Sequence, residues 1–253
     1  MTAALPDFRL DGRRALVTGA GRGIGLAIAQ AYAAAGAEVT LCARTAHEIK
    51  RAAQELRAAG FKAEFLALDV TDIAAFEMEI EARSPFDVFV NNAGTNRPKP
   101  LSKVTEADYD AVMGLNLKAA MFCARAVTGR MVAARRGGSV INMSSQMGHV
   151  GARDRTLYCA SKWAIEGFTK ALAIELGEHG IRVNTICPTF IETPMTKSFF
   201  EDDAFRASVL SKIKLGRLGQ VDDVTGAAIF LASDASALMT GSALMLDGGW
   251  TAG

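Results

Sequence analysis

The 253-residue sequence predicts an α/β fold: one domain built on a seven-stranded parallel sheet with helices on both faces. Three observations carry this. Short apolar runs alternate with longer helical patterns along the whole chain. Glycines fall where helical patterns stop, at Gly36, Gly60 and Gly180. No linker, repeat or low-complexity tract divides the chain.

The elements read in order as follows. Arg14–Thr18 is a strand, and Ile24–Ala35 an alanine-rich helix. Glu38–Cys42 is the second strand and Ala46–Ala59 the second helix. Ala63–Leu68 is the third strand; Thr71 and Asp72 offer caps for a helix to about Arg83. Asp87–Val90 is a short buried strand. Thr105 opens a long helical stretch to Arg136, bent near Gly114. Ser139–Met143 is the fifth strand, and the helix carrying Tyr158 runs to about Glu178. Arg182–Cys187 is the sixth strand. An irregular segment follows, from Pro188 to Gly216; then come a helix over Val221–Ser233 and a last strand over Ala243–Leu246. Repeated β-α alternation makes the sheet parallel and doubly wound.

Bulk properties exclude several functions. The net charge of +1 supplies no global field for nucleic acid or an anionic membrane. No run of about 18 apolar residues occurs, so no membrane span is expected. Cys42, Cys123, Cys159 and Cys187 lie far apart and suggest neither a disulfide framework nor a zinc motif. The chain start has no apolar export segment. A reduced, cytoplasmic setting is expected. With three histidines, His149 and His179 read as surface or loop groups, and no metal is expected.

The segment Thr18-Gly-Ala-Gly-Arg-Gly-Ile-Gly25 sits between a strand and a helix. Such a Rossmann-type turn lets backbone approach a pyrophosphate, which the helix N-terminus stabilises through free N–H groups. Gly19, Arg22, Gly23, Ile24 and Gly25 are therefore candidate dinucleotide contacts. No Asp lies between Asp11 and Asp69 to hold a ribose 2′-hydroxyl, whereas Arg44 ends the second strand and Arg22 lies in the turn. Two guanidiniums suit a 2′-phosphate, so NADP is favoured over NAD.

Tyr158 and Lys162, four apart, share one face of a helix, with Ser145 thirteen positions upstream. An ammonium beside a phenol lowers its pKa and makes a proton donor and acceptor that works near neutral pH.

In this order the motifs resemble the short-chain dehydrogenase/reductases, from about Gly12 to Gly249. Thr18–Gly25 resembles their glycine turn, and Asn91-Asn92-Ala93-Gly94 their N-N-A-G motif. Asp247-Gly248-Gly249 resembles their C-terminal D-G-G. The resemblance implies a catalytic tetrad of Asn116, Ser145, Tyr158 and Lys162. It implies adenine contacts at Asp69 and Val70, and further cofactor contacts at Asn92, Ala93, Gly94, Tyr158, Lys162, Pro188, Ile191 and Thr193. It also implies hydride transfer between a secondary alcohol and a ketone, with Tyr158 moving the proton. Lys162 would hold the nicotinamide ribose, Ser145 would stabilise the oxygen, and Asn116 would position a water. Family members often form homotetramers. Pro188-Thr189 replaces the usual Pro-Gly, and Thr189 does not readily take positive φ.

Substrate contacts are expected beyond the strand ends, from Gln146, Arg155, Phe190 and Met195, with residues 189–216 as a lid. Arg97, Lys99, His149, Arg153 and Arg155 suggest a small anionic or polyhydroxy substrate, such as a sugar acid or polyol. Two alternatives stand beside this reading. One is a 3-oxoacyl-carrier-protein reductase docking its carrier on Arg136, although His179 stands where a second arginine would help. The other is a non-catalytic dinucleotide sensor, which would have no need of the tetrad.

Overall fold

The computed structural model describes residues 6–253; residues 1–5, at the start read above as lacking an export signal, lie outside it. Seven strands form one parallel sheet: β1 (Arg14–Thr18), β2 (Glu38–Ala43), β3 (Ala63–Ala67), β4 (Val88–Asn91), β5 (Gly138–Met143), β6 (Ile181–Pro188) and β7 (Ala243–Leu246). Their order is β3-β2-β1-β4-β5-β6-β7. The order reverses direction between β1 and β4, where Ala15, Leu16 and Val17 pair with Val88, Phe89 and Val90. That reversal opens a crevice at the carboxyl ends of these two strands.

Alternation along each strand feeds two cores. Ala15, Val17, Val88 and Val90 face a layer holding Ile28, Tyr32, Ile49 and Leu231. That layer is built by α1 (Gly23–Ala34), α2 (Ala46–Ala58) and a later helix, Asp222–Ala232. Leu16 and Phe89 face the other layer, with Phe76, Val127 and Met131. Its helices include α3 (Ile73–Glu81), α5 (Ala120–Ala134) and α6 (Thr156–Gly177). Phe89 is fully buried; truncating such a residue to alanine costs about 3–5 kcal/mol.

Two departures from the sequence reading matter, and its expectation for Thr189 is met. The expected bend near Gly114 is a π-helical segment, Gly114–Ala119, joining α4 (Glu106–Met113) to α5 without a break. Asn116 lies on it, and such wide turns recur at functional sites. The segment after Pro188, expected to be irregular, contains a 3₁₀ turn (Lys197–Glu201) and α7 (Asp203–Leu210). Asp202 caps α7 by accepting from the Ala204 and Phe205 amides, and its apolar face packs Phe205 and Val209 with Phe190, Phe200 and Trp250. The fold is completed by α8 (Asp222–Ala232). Finally, Thr189 is not in a left-handed conformation; among the described non-glycine residues only Arg135 and Asp154 have positive φ. The Thr189 amide donates to the Leu246 carbonyl at 3.1 Å, so the backbone is anchored to β7 without a glycine-type turn. No described helix is long and apolar enough to cross a membrane.

Candidate active site

The glycine turn closes on the N-N-A-G segment. Gly19 has φ +66°, and a Cβ built there would come within 2.8 Å of the Asn92 amide nitrogen. At Gly25 a Cβ would lie 2.5 Å from the Gly19 carbonyl, so any side chain there forces strand and helix apart. Thr18 ties the two segments together: its hydroxyl accepts from the Asn92 and Ala93 amides at 3.0 and 3.2 Å. The Asn92 side chain donates back to the Thr18 carbonyl at 2.9 Å. Helix α1 begins here with no side-chain cap and no acid in its own first turn, so its first N–H groups are open to an anion at the crevice mouth. A pyrophosphate fits this cradle.

Arg22 and Arg44 are exposed at the rim. Arg44 is close enough to Asp69 to help hold its carboxyl below the usual range, behind the larger effect of the Thr71 amide hydrogen bond. Val70 is buried. Thr193 reaches the turn from the other side, its Cβ 3.5 Å from where a Gly23 side chain would start. Ile191 is buried and pairs with Gly219.

Tyr158, Lys162 and Ser145 converge beyond β5 and β6. The Lys162 ammonium donates to the Met143 carbonyl at 2.8 Å and lies 5.5 Å from the centre of the Tyr158 ring. The Ser145 hydroxyl accepts from the Met147 amide at 3.1 Å and donates to the Pro188 carbonyl at 3.5 Å. Gly94 faces the same point: a Cβ there would be 3.4 Å from Asn116 Oδ1 and 3.9 Å from Lys162 Nζ. Asn116 accepts from the Thr95 amide at 2.8 Å, donates to the Thr95 carbonyl at 2.9 Å, and donates to the Ser161 hydroxyl at 3.1 Å. Its side chain clamps the loop after β4 to α6.

The electrostatics correct one expectation. Burial pushes the Tyr158 phenol up to about 12, and a hydrogen bond with Ser145 opposes this. Burial also pulls Lys162 down to about 8. Lys162 does not lower the phenol in this state, because its ammonium addresses the ring face and a carbonyl while desolvation acts on the hydroxyl. The site thus holds a neutral phenol, which is a proton donor.

The expected substrate residues divide. Gln146 is buried, and neither end of its amide has a hydrogen-bond partner. Arg155 is buried under the aromatic segment, its guanidinium 5.4 Å from the Phe199 ring centre and its Nε unpartnered. The Thr189 hydroxyl is likewise buried and unpartnered. Phe190, in contrast, packs edge-on to Phe200 and Phe205 within the lid, and Met195 is exposed. Arg97 and Lys99, expected to recognise an anion, both pair with Asp108 at 3.2 and 2.6 Å. Asp108 belongs to the Thr105 capping box, so these cations are engaged at the start of α4. Arg153 is almost fully exposed. His149 is not a free loop group; it meets Glu166 and Cys187.

Sequence reasoning missed several supports. Asn91 donates to Asn142 at 3.1 Å, and Asn142 to Thr169 at 2.9 Å, linking β4, β5 and α6 beneath the site. A polar residue inside an apolar strand, as in Val140-Ile-Asn-Met143, was the available signal. Glu48, on the first turn of α2, brings a carboxylate oxygen within 3.3 Å of where a Gly21 side chain would start. A search confined to the end of β2 passes over it.

Fold and site together define a class, the α/β oxidoreductases that use a nicotinamide dinucleotide. Residues 19–251 match the family described as Enoyl-(Acyl carrier protein) reductase. D-erythrulose reductase of Gallus gallus is 40% identical over 245 residues, covering 97% of this chain and 98% of that protein. Galactitol 2-dehydrogenase (L-tagatose-forming) of Cereibacter sphaeroides is 40% identical over 249 residues, covering 96% and 97%. The crystal structure of a gluconate 5-dehydrogenase from Burkholderia cenocepacia, in complex with NADP and tartrate, matches with a TM-score of 0.95 at 38% identity, over 99% of this chain and 100% of that one. The chain belongs to the short-chain dehydrogenase/reductase family. It is an NAD(P)-dependent enzyme that interconverts alcohol and carbonyl groups.

Proposed function

We propose that this enzyme reduces, or forms by oxidation, the ketone of a small hydroxyl-rich substrate (a ketose, polyol or sugar acid) and prefers NADP. One observation carries the reading: the Gln146 amide and the Thr189 hydroxyl are buried without protein partners, one next to Ser145 and the other next to Pro188, whose carbonyl Ser145 meets. Buried polar groups without partners cost about 1–3 kcal/mol each, and substrate hydroxyls would satisfy them. The named relatives act on sugars or polyols, which supports the same class.

In this reading Tyr158 gives its proton to the carbonyl oxygen in reduction and takes one from the alcohol in oxidation. Ser145 donates a hydrogen bond to that oxygen, where charge develops in the transition state. Lys162, held by the Met143 carbonyl, carries the ribose contact and the proton route. Asn116 positions the loop after β4 and the water expected beside Lys162. When bound, the nicotinamide dinucleotide supplies or accepts the hydride. Gly19, Gly23, Ile24 and Gly25 would hold its pyrophosphate, and Arg22 and Arg44 its 2′-phosphate. Asp69 and Val70 would hold the adenine; Asn92, Ala93, Gly94, Pro188, Ile191 and Thr193 would hold the nicotinamide half.

The whole chain serves as one catalytic domain, with residues 189–216 as the lid over Arg155. Exposed Tyr109, Met121, Trp163 and Ile174, on α4, α5 and α6, support a homotetramer built on these helices. A cytoplasmic setting is consistent with four free cysteines. The carrier-protein alternative has less support: Arg136 pairs with Asp87 at 2.8 Å, and His179 sits against Glu178.

The test is absorbance at the reduced-nicotinamide band with ketoses, polyols, sugar acids and acyl thioesters, using both cofactors. Turnover of the hydroxyl-rich compounds with NADP(H) is expected. Turnover confined to acyl thioesters would overturn the reading.

A further inference from the structure

One polar cluster lies beside the site without entering its chemistry. His149 follows β5, Glu166 lies one turn beyond Lys162 on α6, and Cys187 sits near the end of β6. The Cys187 sulfur is 3.5 Å from His149 Nε2 and 3.3 Å from Glu166 Oε1, and His149 Nε2 is 3.4 Å from the same Glu166 oxygen. These three donor atoms form a nearly equilateral triangle. Around a tetrahedral zinc ion, with bonds of about 2.3 Å to sulfur and about 2.0–2.1 Å to nitrogen or oxygen, neighbouring donors lie roughly 3.3–3.6 Å apart. Each edge of the triangle falls in that range.

Two further observations point the same way. The Ser144 hydroxyl, nine-tenths or more buried, is aimed at the Cys187 sulfur and has no other hydrogen-bond partner. It is placed to complete the coordination, directly or through a water. The Thr185 hydroxyl donates to the other Glu166 oxygen at 3.1 Å, the kind of outer contact that orients a metal-binding carboxylate. His149 is about one-third exposed (32%), which gives an ion a path in.

We propose that His149, Glu166 and Cys187 form a binding site for a thiolate-preferring divalent cation, Zn²⁺ foremost, distinct from the cofactor crevice. Thiolate, imidazole and carboxylate together select zinc over magnesium or calcium, which take oxygen ligands. Binding replaces the Cys187 S–H bond by a sulfur–zinc bond and releases that proton to solvent. No electron transfer is involved. The sequence reading expected no metal because the chain has three histidines and scattered cysteines; the sheet brings His149, Glu166 and Cys187 together.

The test uses untagged, chelator-treated enzyme titrated with Co²⁺ and, separately, with Zn²⁺ against a chromogenic competitor. The expected result is one ion per chain and a thiolate-to-cobalt charge-transfer band. Cys187→Ala should lose the band, His149→Ala should weaken binding at least about tenfold, and Cys159→Ala should change neither. NADP binding by each variant reports that it is folded, and His149→Ala, at a part-exposed position, serves if Cys187→Ala is not. No band, affinities equal in wild type and His149→Ala, or a band lost in Cys159→Ala would overturn the site and leave a hydrogen-bonded triad only. None of these readouts depends on which alcohol the enzyme oxidises.

Discussion

The two sides of the crevice settle their polar groups differently. On the glycine-turn side, Thr18, Asn91, Asn92, Asn142 and Thr169 are joined by hydrogen bonds within the chain. On the lid side, Gln146, Arg155 and Thr189 each bury a polar atom with no protein partner. A paired surface is complete before any ligand arrives, and it suits a cofactor recognised largely by backbone. An unpaired surface costs stability in the free chain and returns it on binding, which makes it selective for molecules that supply the missing hydrogen bonds. Lys162 stands between the two sides, with Gly94 and Asn116 on one hand and Tyr158 on the other.

The largest expected effect separates chemistry from binding. Tyr158→Phe should lower kcat by about 10²–10⁴-fold, the usual contribution of a positioned proton donor, while NADP affinity measured by fluorescence titration stays unchanged. Near-normal turnover would remove the phenol from its role.

Next is cofactor choice on the paired side. Arg44→Asp should shift the kcat/KM ratio from NADP toward NAD by about 10–100-fold, as loss of a charge-assisted hydrogen bond implies. A ratio that does not move would place the 2′-phosphate elsewhere.

The lysine between the sides tests burial itself. Its folded pKa of about 8 lies below the ordinary 10.5. Between those values the unfolded chain binds more protons, so the folded state gains stability from this group as pH rises and carries the penalty below that window. Lys162→Met, which does not titrate, should therefore gain on wild type at pH 7 in denaturant melts, by up to about 3 kcal/mol before the lost Met143 hydrogen bond is set against it, and the difference should shrink toward pH 10. A pH-independent difference would mean that the ammonium is solvated.

The smallest effect probes the unpaired side. Gln146→Leu should raise stability by about 1 kcal/mol, because an unsatisfied amide is removed, yet raise KM for the hydroxyl-rich substrate about tenfold. Higher stability with unchanged KM would assign Gln146 to protein contacts alone.

Much of this was legible in order along the chain. The strand–turn–helix at Thr18–Gly25 is a local pattern: glycine spacing and helix start lie within one segment. Tyr158 and Lys162 share a helix face by spacing alone. The π-helical segment around Asn116 was visible only as a bend, because one extra residue in a turn leaves the apolar pattern nearly unchanged. Helix α7 was missed although Asp202 caps it and Phe205 and Val209 repeat at helical spacing; a run of loop-like residues before it obscured the signal.

Sequence by itself determined the alternation of strands and helices, the phosphate-facing turn and the Tyr–Lys pair, since each depends on residues within a few positions of one another. Only the tertiary structure decided that burial opposes ionisation of the phenol and that Asp108 engages Arg97 and Lys99. It alone decided that Gln146 and Thr189 bury polar atoms without a protein partner, and that His149, Glu166 and Cys187 meet at one point. Those outcomes depend on solvent exclusion and on distances between segments far apart in the chain, which no local pattern of residues encodes.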